Sequence, residues 1–443
     1  MAEGKQILAL NRFEAGEAAG FDDRLAALIR RREATFGAAS VLFYKQPLEI
    51  MSASGVWMHA ADGRRYLDMY NNVASVGHCH PHVVAAIADQ AGRLATNTRY
   101  LYDVVHTYAE KLLATFPAPL ANVALTCTGS ESNDLAMRIA RAATGGEGFV
   151  VTETAYHGNT SAVTDVSPSS FKQRRVPRHV RVVPAPDVYV NETADVGARL
   201  AADVAAAAAD LEASGIRFAG MLADSIFSSD GIYADPPGFL KPVVEAVHAA
   251  GGLFIADEVQ PGFGRTGDAL WGFARHGVVP DIVTMGKPMG NGFPMGGVVT
   301  SPDLMAVFAA ETGYFNTFGG NPVAAAAGLA VMEVIEGENL LANARRIGAL
   351  VRDRLKALGN RHPVIGDVRG AGLFVGLEFS EPGSRTPSPA TATAVINGLK
   401  DEGVLIGAAG LYGNVLKIRP PLVFAEEHVD VFVDAIDRVL GRI

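Results

Sequence analysis

Residues 253–260 read LFIADEVQ, an apolar run that ends in the acidic pair Asp257 and Glu258. A short apolar run bounded by polar, Gly-rich sequence is typical of a buried strand. Asp257 then lies at the carboxyl edge of the sheet, where open α/β folds bind their ligands. Because an isolated carboxylate is costly to bury, we expect Asp257 to face a cationic partner. Mg²⁺ is one alternative, since strand-end acids hold it in ATPases, but no Gly-Lys-Ser/Thr phosphate loop accompanies the pair.

Apolar runs and helical runs alternate on both sides of this stretch. Further buried strands are predicted at Asn122–Leu125, Gly148–Val151, Phe218–Ala223, Gly252–Ala256 and Asp281–Met285. A helical run at about Glu131–Ala143 follows the first strand, whereas polar, Gly-rich sequence separates the last two. Strands that alternate with helices form parallel sheets. The middle of the chain therefore predicts a large domain with a mainly parallel sheet flanked by helices.

The two ends of the chain predict a second, smaller α+β domain. Gln46–Met69 alternates in short strands around a turn at Ala61–Arg64, which is typical of an antiparallel piece. After about Glu333 we predict one long helical stretch to Leu358, four short strands and a closing helix. These later elements are Val364–Val368, Gly372–Glu378, Val404–Ile406, Val415–Ile418 and the helix Glu426–Leu440. The predicted fold class is α/β, with a large domain at 76–333 and a small domain from 1–75 and 334–443.

Composition excludes several classes of protein. The 443 residues are 49% hydrophobic and carry a net charge of −9, which argues against a nucleic-acid binder because such proteins present a basic face. No segment reaches the roughly 20 apolar residues that a bilayer span needs, so no membrane partner is expected. Only Cys79 and Cys127 are present, and Met1–Lys5 begins no apolar run ahead of a cleavage site. We therefore expect a reducing, cytoplasmic location.

A turn of small residues, TGSESN at 128–133, links the first predicted strand of the sheet to its helix. Gly129 and Ser130 let the backbone approach an anion, and the N–H groups that open the helix point towards it, helped by the helix dipole. The turn therefore predicts a phosphate site. The alternative is a plain N-cap, in which Ser130 or Thr128 only caps the helix.

Lys287 follows the predicted strand 281–285, in the stretch VTMGKPMGNG at 283–292. Most other lysines lie in polar or amphipathic stretches, where solvation explains them. Among Gly and Met at the end of a buried strand, the Lys287 amine should be desolvated and its pKa lowered, as a Schiff-base lysine requires. A phosphate site, a carboxylate and an amine together suit an anionic aromatic cofactor, because a protonated pyridine nitrogen is a cationic partner for Asp257.

The chain resembles the class III aminotransferases, which are fold-type-I pyridoxal-phosphate enzymes. The resemblance extends from about Val41 to the end of the chain. Its most specific part is the family signature DEVQPGFGRTG at 257–267, followed by Gly286 and Lys287. It implies that pyridoxal 5'-phosphate is the cofactor and that Lys287 and Asp257 are catalytic. It further implies a set of cofactor-binding roles: Gly129 and Ser130 on the phosphate, Tyr156 stacked on the ring with His157 beside it, Asp257 on the ring nitrogen, Gln260 near the ring hydroxyl, and Thr317 on the phosphate of the partner subunit's cofactor.

Within that family, the chain is most similar to the branch of alanine–glyoxylate-type aminotransferases and ethanolamine-phosphate or phosphohydroxylysine phospho-lyases. The stretches that carry this similarity are NNVASVGHCHPH at 71–82, TNTRYL at 96–101 and NVLKIRPP at 414–421. Lys417 stands where many members have a carboxylate-binding Arg, and Ser229 where 4-aminobutyrate-type members have a Glu. The role of Thr317 implies a homodimer with shared active sites, and a tetramer of such dimers is the alternative assembly.

The resemblance implies transamination from an amine or amino acid to an oxo acid such as pyruvate or glyoxylate. The alternative is a lyase that eliminates phosphate or ammonia from a small amino-phosphate or amino-phosphonate compound. Side chains alternate along a strand, so Lys417 and Arg419 should share one face and attract an anionic substrate group. The alternative for this pair is a surface ion pair or a cation at a helix C-terminus.

His78, Cys79, His80 and His82 are clustered like metal ligands. Ligands crowded on one short loop give poor tetrahedral geometry, so we expect a structural loop and no metal.

Overall fold

The computed structural model describes residues 12–13, 21–39, 41–171, 176–190 and 195–443. The start of the chain at Met1–Lys5, one basis of the expected location, lies outside these ranges. The strands are β1 Ile50–Ser54, β2 Trp57–Ala60, β3 Arg65–Asp68, β4 Asn122–Thr126, β5 Gly148–Thr152, β6 Val180–Val183, β7 Phe218–Asp224, β8 Leu253–Asp257, β9 Ile282–Met285, β10 Gly296–Thr300, β11 Ile365–Ala371, β12 Phe374–Phe379, β13 Val404–Leu405, β14 Gly407–Ala409 and β15 Val415–Ile418. The helices are α1 Asp23–Phe36, α2 Pro81–Arg93, α3 Asp103–Leu113, α4 Gly129–Thr144, α5 Ser161–Asp165, α6 Val196–Ala213, α7 Lys241–Ala249, α8 Pro302–Glu311, α9 Pro322–Gly337, α10 Leu340–Gly359, α11 Pro389–Asp401 and α12 Glu426–Leu440.

A seven-stranded sheet in the order β4-β10-β9-β8-β7-β5-β6 forms the centre of the molecule. Its strands are parallel except β10, which runs antiparallel to both of its neighbours. The predicted α/β class and the mainly parallel sheet are therefore confirmed. Because the parallel strands share one direction, the ends of β4, β5, β7, β8 and β9 lie along one edge of the sheet.

Two apolar layers cover the two faces of this sheet. Phe254 and Met221 belong to one layer, and Ile255 and Leu222 to the other, because successive side chains along a strand point to opposite faces. Each of these four side chains is fully buried. Strands buried on both faces are expected to be continuous apolar runs, which is why the sequence pattern located them.

Two smaller four-stranded sheets are built from the ends of the chain. One has the order β1-β2-β3-β13, in which β13 pairs parallel to β3, so residues 404–405 join strands from residues 50–68. The other, β11-β12-β15-β14, is antiparallel throughout. The predicted small sheet domain is thus present, while the domain boundaries remain predictions.

The single long helix predicted from Glu333 to Leu358 is wrong. Helix α9 ends at Gly337, and α10 begins at Leu340. Asn339 between them has a φ of +52°, the left-handed conformation that interrupts a helix. Within the described ranges, no helix is both long and apolar enough to cross a membrane.

Candidate active site

A cleft of about 190 Å³ opens where the carboxyl ends of the central strands meet. It is lined by Gly129, Ser130, Tyr156, His157, Gly158, Asp224, Asp257, Val259, Gln260 and Lys287. All the cofactor-site residues predicted from the sequence are in this set except Thr317. The structure thus brings together five segments of the chain, at 129–130, 156–158, 224, 257–260 and 287.

Asp257 ends β8, and three donors hold its carboxylate. His157 Nδ1 lies 2.7 Å and Asn133 Nδ2 3.0 Å from Oδ2, while Val259 N donates to Oδ1 at 3.0 Å. Because an ionised carboxylate only accepts, Nδ1 of His157 carries the hydrogen of this contact. The side chain is nearly buried, at 5% exposure, and its remaining accessible surface faces the cleft. A cation bound there would therefore meet an oriented negative charge.

Asn133 had no role in the sequence analysis, yet it connects this carboxylate to the sheet. Its Nδ2 also donates to the His157 carbonyl oxygen at 2.7 Å, and its Oδ1 accepts from Thr284 Oγ1 at 2.6 Å. Both contacts fix which end of the amide faces Asp257. The sequence does indicate that Asn133 is unusual, because it is a polar residue next to the apolar, buried residues Leu135, Ala136 and Met137 of α4.

The first turn of α4 forms the opposite end of the cleft. Thr128 is the N-cap, with its Oγ1 accepting from Glu131 N at 3.1 Å, so the capping alternative is correct for Thr128. Gly129 and Ser130 are the first two helical residues, and N–H groups at these positions have no partner within a helix. They are free to bind an anion, which the helix dipole also favours.

Gly158 brings a second segment against this turn. Its φ is +143°, and a Cβ atom built on it would lie 2.5 Å from Ser130 Oγ, so only glycine fits. Ser130 Oγ in turn accepts from Asn159 N at 3.2 Å. The segment that carries Tyr156 and His157 is therefore fixed against the predicted phosphate turn.

Lys287 follows β9 and faces the cleft beside Asp257. Its φ of +30° is unusual for a residue with a side chain, and such backbone strain is common at functional sites. Burial lowers the pKa of its amine to about 8, and the charge of Arg419 adds to the decrease, whereas Asp257 and Asp224 oppose it. A substantial fraction of the Lys287 amine is therefore neutral and nucleophilic near pH 8.

Lys417 and Arg419 are both buried, at 3% and 8% exposure, so the alternative of a surface ion pair is wrong. The Lys417 ammonium and the Arg419 guanidinium lie 5.6 Å and 6.0 Å from the centre of the Phe374 ring, which confirms that they share a face. Arg419 Nε donates to the Tyr70 carbonyl oxygen at 2.6 Å, and its Nη1 donates to Gln260 Oε1. Arg419 thus contacts the cleft residue Gln260, and both of its hydrogen-bond acceptors among the described residues are neutral.

Asp224 is a further acid in the cleft that the sequence analysis missed. Asp224 lies beside Asp257 in the register of the parallel strands β7 and β8. Burial raises the pKa of the Asp224 carboxyl group. Ile226 N donates to its Oδ1 at 2.9 Å, and the Ser228 hydroxyl donates to its Oδ2. Burial also lowers the pKa of Lys417 well below its ordinary value, with the charge of Arg419 as the second cause. Asp224 carries the same strand-end signal as Asp257.

Lys417 and Arg419 are not among the residues that line the cleft, and two further predicted features also lie outside it. Thr317 is exposed on a loop, and the next residue, Phe318, is 70% exposed. Thr317 is not among the residues that line the cleft of its own chain. In the histidine-rich loop, His78, His80 and His82 pair with Asp68, Glu338 and Glu333 at 2.7, 2.9 and 2.6 Å. These carboxylates account for the three imidazoles as parts of the packing around the loop.

Comparison with known proteins gives concordant results. The family model described as aminotransferase class-III matches residues 43–440. The chain is 42% identical to an alanine–glyoxylate aminotransferase 2-like protein of Drosophila melanogaster, over 91% of this chain and 85% of that protein. It is 38% identical to an ethanolamine-phosphate phospho-lyase homologue of Caenorhabditis elegans, over 93% of each. Its fold matches that of an Arthrobacter phospholyase solved in complex with phosphoethanolamine, with a TM-score of 0.90 and 45% identity over 94% of this chain and 100% of that one.

Proposed function

Because the chain belongs to the class III aminotransferases, we propose that it transfers the amino group of an amine or amino acid to an oxo acid such as pyruvate or glyoxylate. One observation carries the proposal: a lysine amine of lowered pKa and a fixed carboxylate face the same cleft as the N-terminus of α4. The substrates themselves are small molecules, in keeping with a cleft of about 190 Å³.

The cofactor is pyridoxal 5'-phosphate, and the residues of the cleft fit it. Gly129 and Ser130 offer helix-opening N–H groups for the phosphate, and the Gly158 backbone packs so closely behind Ser130 that a Cβ atom would fill the space. Asp257 offers a carboxylate for the ring nitrogen, and Tyr156 offers an aromatic face. When bound, the cofactor supplies a carbonyl that condenses with amines and a ring that accepts the charge left by a departing proton.

Lys287 Nζ has two tasks in this reaction. It would hold the cofactor covalently, and as a free amine in the same cleft it would serve as the base for the substrate's proton. A pKa of about 8 suits both tasks, because the amine can be neutral when it attacks and can hold a proton before returning it. Asp257, held by His157 and Asn133, keeps its charge oriented throughout without reorganisation.

Lys417 and Arg419 are the proposed ligands of the substrate's anionic group. Among the described residues, Arg419 donates hydrogen bonds to the neutral acceptors Tyr70 O and Gln260 Oε1 and to no carboxylate, so no contact there cancels its positive charge. An anion bound beside Lys417 would also favour the protonated amine that burial disfavours. Both effects favour carboxylate-bearing or phosphate-bearing substrates over neutral amines.

A phospho-lyase acting on a small amino-phosphate or amino-phosphonate compound is the second candidate. Two buried cations over one ring match a dianionic phosphate better than a single carboxylate. The Arthrobacter phospholyase, 45% identical, was solved with phosphoethanolamine. Elimination and transamination can use the same Lys287 and Asp257, so the fold alone does not distinguish them.

Transamination and elimination differ in whether they need an oxo acid and in which product they release. The purified holoenzyme is incubated with a panel of amines, including phosphoethanolamine, with and without pyruvate or glyoxylate. Transamination predicts turnover only with the oxo acid and formation of the corresponding amino acid. Release of inorganic phosphate or ammonia without any oxo acid would contradict transamination and support the lyase.

The anion site is tested by substitution. Arg419→Ala and Lys417→Ala are expected to lower kcat/KM for an anionic amine by about 2–3 kcal/mol, the value of a hydrogen bond to a charged group. A neutral amine of similar size should lose far less. Lys400→Ala is the matched control, because Lys400 is a buried lysine of α11 bound to Gln46 and Asp401. Equal losses on both amines would reject the assignment.

We further propose a homodimer with shared active sites, with a tetramer of such dimers as the alternative assembly. The exposed loop around Thr317 and the exposed side chains of Tyr100, Leu101, Phe315 and Phe318 support an apolar contact surface there. Co-expression of Lys287→Ala chains with Thr317→Asp chains tests the sharing. Activity recovered in the mixed dimer requires that Thr317 acts on the partner's site, whereas mixed dimers without activity would contradict it.

A cytoplasmic location remains a proposal, supported by only two cysteines, both free. Fluorescence of a tagged full-length chain in its own cell tests it, and signal in another compartment would reject it.

A further inference from the structure

Arg265 is a buried arginine in the loop that follows β8, and it forms none of the contacts described above. It is 1% exposed. Its Nη1 donates to the Pro420 carbonyl oxygen and, at 3.3 Å, to the Leu373 carbonyl oxygen. Its own carbonyl oxygen accepts from Leu373 N at 3.0 Å. Arg265 therefore joins the loop of the large domain to the β11–β12 turn and to the chain leaving β15.

The chain leaving β15 has few backbone groups that can hold it in place. β15 ends at Ile418, and prolines 420 and 421 have no N–H to donate. Arg419 N donates to Met69 O at 2.8 Å, and the next backbone donor is Leu422 N, which reaches Ser75 O at 2.7 Å. Between these two anchors, the Pro421 carbonyl accepts from Phe424 N at 3.0 Å within a local turn, and the Pro420 carbonyl is held by Arg265 from the loop after β8.

Hydrogen bonds within the described part of the fold use only part of the Arg265 guanidinium. Nε and Nη2 of Arg265 have no hydrogen-bond partner among the described residues. Burial and the charge of Arg419 lower the Arg265 pKa to about 9. A buried charge without a carboxylate partner among the described residues is costly, which points to a role beyond packing.

We propose that Arg265 is a positioning residue, which fixes Arg419 towards the cleft by holding the Pro420 carbonyl and thereby sets the preference for anionic substrates. The proposal rests on the proposed role of Arg419 as a ligand of the substrate anion. In the described part of the chain, the Arg419 guanidinium donates to two neutral acceptors, the Tyr70 carbonyl oxygen and Gln260 Oε1. A firmly held backbone is what lets it keep one orientation without a carboxylate.

The test compares the wild type, Arg265→Met, Arg419→Ala and the double variant as holoenzymes. The measured quantity is the ratio of kcat/KM for an anionic amine to kcat/KM for a neutral amine of similar size. Arg265→Met is expected to lower this ratio about tenfold, mainly through KM, which is the order of one charged hydrogen bond. The double variant should have the ratio of Arg419→Ala, because Arg265 acts through Arg419. Arg265→Lys, which keeps a donor, should recover part of the loss.

Arg345→Met is the matched control. Arg345 Nε donates to the Gly267 carbonyl oxygen at 3.0 Å, so it supports the same loop without contacting Pro420. Its replacement should leave the ratio unchanged. An equal decrease in Arg345→Met would overturn the proposal, because loop stability would then explain the effect.

The remaining outcomes distinguish the positioning role of Arg265 from the substrate-binding role of Arg419. A normal ratio in Arg265→Met, with a lowered ratio in Arg419→Ala, overturns the role of Arg265 alone. A normal ratio in Arg419→Ala overturns the substrate role of Arg419, and the role of Arg265 with it. If Arg265→Met does not fold, as judged by cofactor absorbance and thermal unfolding, Arg265→Gln, which shortens and neutralises the side chain, takes its place in the comparison, and a ratio equal to that of the wild type overturns the proposal.

Discussion

Asp257→Asn separates the charge of this carboxylate from its shape. His157 Nδ1 and Asn133 Nδ2 approach Oδ2 at 2.7 and 3.0 Å, and Val259 N approaches Oδ1 at 3.0 Å. An asparagine NH₂ group must face either Asn133 Nδ2 or Val259 N, and neither can become an acceptor. Asn133 cannot turn, because the same NH₂ donates to the His157 carbonyl oxygen at 2.7 Å. We expect a loss of about 1–3 kcal/mol in the free energy of unfolding, the cost of one unsatisfied buried donor.

The same change should have a larger effect on activity, because the ring nitrogen of the cofactor loses its charged partner. A loss of about 2–3 kcal/mol corresponds to a decrease of roughly 30- to 150-fold in the single-turnover rate. Urea unfolding of the cofactor-free protein measures the first effect, and stopped-flow absorbance of the holoenzyme measures the second. A single-turnover rate close to that of the wild type would refute the role of Asp257.

Asp230→Asn is the matched control for this experiment. Asp230 is also buried, and it accepts from Thr152 Oγ1 at 2.8 Å and from Thr154 N and Oγ1 at 3.1 and 2.6 Å. The Thr152 hydroxyl can rotate and accept from an NH₂ group, so the amide is accommodated. We expect little loss of stability and an unchanged single-turnover rate.

Three further predictions concern pH and the phosphate turn. Burial raises the Glu258 pKa from 4.5 to about 7, so its contribution to stability is present below pH 4.5 and is lost as the pH rises through 7. Glu258→Gln should reduce the change with pH of the free energy of unfolding in urea across that window, and an unchanged pH dependence would contradict this. Between pH 8 and 10.5, Lys287 is protonated in the unfolded chain but neutral in the folded one, so the free energy of unfolding of the cofactor-free protein rises with pH. Lys287→Met should remove that rise in urea unfolding, and a rise that persists would contradict it. Gly158→Ala, which forces a Cβ atom against Ser130 Oγ, should make the cofactor dialysable, and full retention would contradict the close approach.

The central sheet could be predicted because its strands are buried on both faces and therefore appear as continuous apolar runs. Phe218–Asp224 and Leu253–Asp257 differ from their predicted bounds by one residue. Asp257 and Lys287 were found for the same reason, since each is a polar residue that follows such a run. The antiparallel strand Gly296–Thr300 was missed, although it is apolar, because its place between β4 and β9 depends on pairing with strands remote in sequence.

The supporting residues of the site were harder to predict, because their roles arise from tertiary contacts. Asn133 lies one helical turn inside α4, and nothing local indicates that it meets Asp257, 124 residues away. Arg265 was quoted only as part of a signature, since its contact with Pro420 spans 155 residues. The break between α9 and α10 depends on one left-handed residue, Asn339, which helical periodicity does not reveal.

The covalent attachment of the cofactor at Lys287 is the central claim, and borohydride reduction followed by peptide mapping tests it most directly. Reduction fixes the cofactor permanently to the lysine that carries it. We predict one labelled peptide, containing Lys287, and no labelled peptide from Lys287→Ala. A label on another lysine of the wild-type enzyme, such as the buried Lys417, would contradict the account.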